Sequence, residues 1–225
     1  MTIRLALLED ALVPGARLSW RPAPRALYVR RGELRVTGAA GHKVLPAESC
    51  TLLEGALELE GDGEAWTFEL SAGSVDDLSL ADKARTILAH DIDRDPGEPV
   101  LLRADRVEFE PSGVTPRHGH RGPGIRRLVH GRLAAEIGRE VRRIEPGTAW
   151  FETGADPVVG RNLAPSSAFV RAMALSPELK GKPTFIPWKR RSRGARSRGS
   201  SSTRSSGCPR PDPRPRQLTV LPGGT

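Results

Sequence analysis

Residues 114–131, VTPRHGHRGPGIRRLVHG, set two of the five histidines one residue apart, after the strand-like run RVEFEPSG and before a glycine-rich run. If 118–120 is extended, His118 and His120 project to one face and Gly119 to the other, so two ring nitrogens can converge on one ion or ligand. The other reading is a polar barrel mouth whose histidines bond backbone groups or a ligand without metal. What surrounds the segment decides how it is to be read.

Outward from this pair the sequence is written in strands. Val107 and Phe109 alternate with Arg106 and Glu108, and Phe169, Arg171 and Met173 with Ala168, Val170 and Ala172, a period of two with one face buried. Turn signals recur at EPSG, RGPG, EPG, TGADP and GDGE, and 24 Gly and 20 Pro against 4% aromatic residues favour many short elements. The class is all-β, a sandwich or barrel. One stretch, SVDDLSLADKARTILAHD (74–91), is compatible with a helix and reads as a connector.

The strands repeat. RALYVRRGELRVTG (25–38) resembles IRRLVHGRLAAEIG (125–138), with Gly32 and Gly131 99 residues apart, and Pro46 and Pro146 are 100 apart in the next pair of segments. EAWTFELSAG (64–73) and SAFVRAMALSP (167–177) each read as a closing strand. Correspondences in this order predict two related units, 1–75 and 100–188, joined by a helical or irregular connector at 76–99.

The formal charge of +8 is not spread over these units. Residues 189–225 hold ten Lys or Arg and one acid, which leaves 25 basic against 26 acidic residues in 1–188. That Arg-, Ser- and Pro-rich tail has too little apolar surface to offset the entropy of ordering and is expected to be disordered. It is either a basic arm for nucleic acid or, since its composition is what a GC-rich gene yields out of frame, a frameshifted end. Nothing else suggests a nucleic-acid partner. Two cysteines, Cys50 and Cys208, indicate neither a disulfide framework nor a cysteine zinc site, which fits a reducing compartment. With no run near the roughly 20 apolar residues of a membrane helix, and acids in MTIRLALLEDALVPG, the expected location is the cytoplasm, away from membranes.

The residues resemble the cupin superfamily, specifically a bicupin with two jelly-roll β-barrels in tandem. Its first motif runs Gly, H-x-H, Glu, Gly; here Gly113, His118, His120 and Gly131 take those places, and EPGTAWFETGADPVVGRN (145–162) is similar to the second motif. The departures are two: Gly124 stands where the motif has Glu, and no histidine follows His130 to serve the second motif. The first unit lacks H-x-H altogether.

The resemblance implies a site in the second unit. His118 and His120 would hold a divalent metal (Fe, Mn, Ni or Zn), with Glu152 as the third ligand and Asp156 next; two histidines and one carboxylate suit such ions with open positions. Arg126, inward by alternation from Gly124, and Arg171 would bind an anionic small molecule, or else pair with Glu136, Glu145 or Glu152. Trp150 would line the pocket or pack the core. The function implied is binding of a small anionic ligand through a metal, with dioxygenase- or isomerase-like chemistry if it is an enzyme; no catalytic residue is assigned. The alternative is a ligand-binding or sensing cupin without metal. Edge strands leave a homodimer open.

Overall fold

Period-two alternation becomes strands throughout the computed structural model, which describes residues 2–72, 84–188 and 215–216. In the first unit these are β1 (Ile3–Leu12), β2 (Arg17–Trp20), β3 (Arg25–Gly38), β4 (Gly41–Pro46), β5 (Cys50–Leu53), β6 (Leu57–Ala72) and β7 (Arg85–Ile92). They form one antiparallel sheet in the order β4-β3-β6-β1-β7, with β2 added to β6 and β5 to β3. Strands β3 and β6, 14 and 16 residues long, bend where the ladder slips between Val29 and Arg31. Gly32 permits this: its φ is +76° and an added Cβ would lie 2.0 Å from the Asp62 carbonyl oxygen. Bent strands let one sheet wrap an interior of Trp20, Leu27, Leu34 and Leu59.

The second unit has β8 (Leu101–Phe109), β9 (His118–His120), β10 (Gly124–His130), β11 (Leu133–Ile137), β12 (Glu140–Ile144), β13 (Ala149–Glu152), β14 (Val158–Asn162), β15 (Ser167–Leu175) and β16 (Phe185–Pro187). They make two antiparallel sheets, β13-β10-β15-β8 and β12-β11-β14-β9-β16. Residues 215–216 pair with β8.

Register makes the repeat explicit. Arg25 lies between Leu53 on β5 and Glu69 on β6, and Gly124 lies between Glu152 on β13 and Met173 on β15. Gly124 is therefore the counterpart of Arg25, at the same spacing of 99 that separates Gly32 from Gly131, and both of those glycines have positive φ.

Two sequence expectations change. Phe169, Arg171 and Met173 do share one face, but the opposite face is buried as well, because Val170, Ala172 and Ala174 pack with Ile125 and Val129 against Leu5, Trp66 and Phe68 of the first unit. The helix-compatible stretch 74–91 is strand from Arg85 onward: β7 pairs with β1 and places Ile87 and Leu88 against the shared core. Pairing with an open sheet edge outweighs local helix propensity there. The rest of that stretch, and the charge and disorder of the tail, lie outside the described residues.

Gly131 offers a test of the two matched glycines. Its φ is +82°, and an added Cβ would sit 2.2 Å from both Ser166 O and Ser167 Oγ. Gly131→Ala should lower unfolding stability by about 3 kcal/mol, from left-handed strain plus overpacking, as read from the urea midpoint. A change under about 0.5 kcal/mol would show that the turn has room to relax.

Candidate functional site

Two rows of side chains cross the interior face of the sheet β13-β10-β15-β8. The upper row is Glu152, Gly124, Met173 and Arg103; the lower is Trp150, Arg126, Arg171 and Asp105. Strand β9, in the facing sheet, brings His118 and His120 to the same space, and all of His118, His120, Arg126, Glu152, Arg171 and Asp105 are buried. Six polar side chains in one interior must answer one another's charges.

His118 is fixed first. Its Nδ1 lies 2.8 Å from the Pro116 carbonyl oxygen, which makes Nδ1 the protonated nitrogen and leaves Nε2 with a lone pair. Phe185 of β16 stacks on its ring at 4.6 Å, and His120 meets it edge-on at 4.8 Å. Glu152 is the hub of the rest. Trp150 Nε1 donates to its Oε1 at 2.9 Å, while Oε2 is 2.7 Å from Arg126 Nη2 and 3.4 Å from His120 Nε2. The Arg126 contact is Coulombic rather than aligned: Arg126 Nη2, Glu152 Oε2 and His120 Nδ1 are all buried without a well-directed hydrogen bond. Arg126 Nη1 donates to the Gly124 carbonyl at 2.6 Å, so the side chain turns back and lifts its head from the lower row to the upper. Arg171 donates to Asp105 through Nε at 2.6 Å and Nη2 at 3.1 Å, a bidentate pair.

The ionisation states follow from this arrangement. Burial opposes charge on Glu152, but Arg126, His120 and Trp150 outweigh it and hold the carboxyl down at about 2. Burial, reinforced by the charges of Arg126 and Arg171 against the pull of Glu152, depresses His120 to about 4. His118 is lowered mainly by burial. Burial also brings Arg126 down to about 10, still a cation at neutral pH. With neutral imidazoles the buried cluster holds two guanidinium groups (Arg126, Arg171) and two carboxylates (Asp105, Glu152), and the partly exposed Arg103, which donates to the Lys182 carbonyl, adds a third positive charge at its edge, 3.6 Å from Asp105.

The structure brings His118, His120 and Glu152 together, yet their arrangement does not fit a divalent metal. Oε2 of Glu152, the oxygen nearest His120, faces a fully buried guanidinium, and among the described residues no three His, Cys, Asp or Glu side chains are disposed to hold an ion. Nor can Gly124 be read as a simple lost ligand. An added Cβ there would lie 2.5 Å from Ala172 O and 3.0 Å from Met173 Cγ, so strand β15 leaves no room for a glutamate. Asp156 is engaged by Thr153 in an exposed turn. Of the carboxylates considered as partners, Glu152 takes Arg126, whereas Glu136 pairs with Arg161 and Glu145 with Arg132 and Arg143. Arg171 pairs instead with Asp105, a residue that the alternation Asp105, Val107, Phe109 could have placed on the inner face.

His120 supplies a pH test. A histidine lowered from 6.5 to about 4 on folding binds its proton more readily in the unfolded chain. Its contribution to stability is therefore complete above pH 6.5 and lost as pH falls from 6.5 to 4, on the order of 3 kcal/mol over that window. His120→Gln should lose correspondingly less between those pH values in urea titrations, and an identical pH profile would contradict the assignment.

No family model and no curated protein matches the chain. Solved structures do. AerE from Microcystis aeruginosa aligns with a TM-score of 0.59 at 16% identity, covering 76% of this chain and 88% of that one. Lactobacillus farciminis oxalate decarboxylase, in a formate complex, aligns with a TM-score of 0.59 at 14% identity over 82% of this chain and 79% of that one. Bacillus subtilis oxalate decarboxylase gives 0.55 and 12% over 77% and 68%. These are cupin-fold proteins, and the present chain has the cupin fold, as two jelly-roll units in tandem.

Proposed function

We propose that the second barrel binds a small carboxylate-type anion without a resident metal, making the chain a ligand-binding or sensing cupin. The observation that carries this reading is the charge balance in and around the cluster: two buried guanidinium groups, Arg126 and Arg171, and the partly exposed Arg103 at its edge, against two carboxylates and two histidines held toward the neutral form by burial. A small anion entering there gains from that field in a site where water is excluded. It also meets Arg126 Nη2, which faces Glu152 Oε2 at 2.7 Å without a well-directed hydrogen bond, and can take the proton of whichever His120 nitrogen carries it. Arg171, whose bidentate grip on Asp105 presents a fixed guanidinium plane, is the second anchor and Trp150 the wall behind Glu152. The oxalate decarboxylase solved with formate is a protein of this fold that accepts a carboxylate of the size considered.

The rival is the metal-dependent reading with His118, His120 and Glu152 as ligands, which keeps one favourable observation, the Nε2 lone pair that Pro116 leaves on His118. It requires Arg126 to withdraw from Glu152.

Calorimetric titration with formate, acetate, oxalate and malonate separates them. At least one should bind, and Arg171→Ala should weaken it by about tenfold or more, the loss of a charge-assisted hydrogen bond. Purified protein should contain under about a tenth of an equivalent of iron, manganese, nickel or zinc. Stoichiometric metal that disappears in a His118→Ala, His120→Ala double variant would establish the rival, and no heat with any of the four acids would remove the carboxylate reading.

A further inference from the structure

We infer that the Arg126 guanidinium is a built-in cation that takes the place of a metal ion in the second barrel and keeps divalent cations out. The inference rests on the metal-free reading above but goes further, since it names the residue responsible and the donor set it conceals.

Three observations carry it. First, the position: Arg126 roots one row below Gly124, but its bond to the Gly124 carbonyl returns the head to the level of Glu152 and His120. It meets Glu152 at 2.7 Å, on the same oxygen that lies 3.4 Å from His120 Nε2. Second, the enclosure: Arg126 is 1% exposed, held on one side by β13 and on the other by β15, so its charge has no path to solvent within the folded barrel. Third, the donors left behind: His120 Nε2 lies 3.4 Å from Glu152 Oε2 and the His118 ring meets His120 edge-on at 4.8 Å, so without the guanidinium two imidazoles and one carboxylate, the donor types that suit first-row divalent ions, would be free to close on an ion they do not now converge on. A cation of either kind neutralises Glu152. Two cations beside one carboxylate in a water-poor interior repel each other too strongly to coexist.

The tight approach of β15 to Gly124 agrees with this. A glutamate at 124 would be a second carboxylate against the same cation, and the strand spacing excludes it. The single carboxylate, Glu152, is thus matched by the single guanidinium that reaches it.

Cobalt(II) is a suitable probe, because its visible absorption reports nitrogen and oxygen coordination independently of any activity. The wild-type chain, Arg126→Met and Arg126→Gln would be titrated with cobalt chloride by calorimetry and absorption, with folding checked by circular dichroism. Met keeps the stem without the charge, and Gln keeps a donor for Gly124 O. At least one variant should bind one equivalent at least about a hundredfold more tightly than wild type, with loss of binding when His118 and His120 are also replaced by Ala. Folded variants that bind cobalt no better than wild type would overturn the inference while leaving the metal-free reading intact. Unfolding of both variants also counts against it, because a guanidinium required for folding needs no role in excluding metal. Tight, His118- and His120-dependent binding by the wild type would remove both.

Discussion

Burial of β10 and β15 on both faces is the constraint from which the rest of the structure follows. One face seals against β1, β3 and β6 of the first unit through Ile125, Val129, Val170 and Ala172. The other lines the interior of the second barrel, so neither face can hand a charge to water. Strand β10 nevertheless carries adjacent arginines, Arg126 and Arg127, which alternation sends to opposite faces. Each finds its own carboxylate: Arg126 meets Glu152 inside, while Arg127 lies over Trp66 at 4.2 Å and pairs with Glu9 of β1. A slip of one residue in register would exchange the two and leave both unpaired, so electrostatics and apolar packing fix the same register.

The same constraint accounts for a barrel interior that is polar yet paired. Buried ion pairs add little net stability relative to apolar packing, since desolvation offsets most of the attraction, but removing one partner leaves an uncompensated charge. Arg171 with Asp105 and Arg126 with Glu152 therefore act as positional constraints more than as sources of stability. Trp150 adds a direct hydrogen bond to Glu152 and meets Phe169 edge-on at 5.3 Å, so the polar row rests on the apolar core beneath it. The remaining hydrogen-bond capacity of the cluster sits at Arg126 Nη2, Glu152 Oε2 and His120 Nδ1.

Much of this was legible in the sequence, and the parts that were not share one cause. Alternation set His118 and His120 on one face and Arg126 inward, the family resemblance put Glu152 beside them, and the structure adds Trp150 and Arg171 to the same interior, while the spacing of 99 between Gly32 and Gly131 survives as matched glycines of positive φ. Alternation cannot tell what lies across the barrel. Asp105 is 66 residues from Arg171, and only the register of β8 against β15 sets them side by side. The second burial of β15 and the strand character of 85–92 depend likewise on an opposing sheet, which no local pattern encodes. Gly124 is the clearest case: as a letter it is a missing ligand, whereas in three dimensions it is a close strand approach that admits no side chain.

The two units bury a charge pair at the same level by different residues. In the first, the counterpart of Gly124 is Arg25, fully buried, whose Nε donates to Glu69 at 2.7 Å. Both units thus close the same level of the barrel with a guanidinium and a carboxylate, but from different strands: Glu69 stands where the second unit has Met173, and Glu152 where the first has Leu53. No histidine lies beside the pair on β3, β5 or β6 in the first unit. An arrangement reached by two different sets of residues reflects what this level of the fold requires, which is neutralisation of buried charge by a partner the chain itself supplies. The histidines are then an addition to that requirement in the second unit alone.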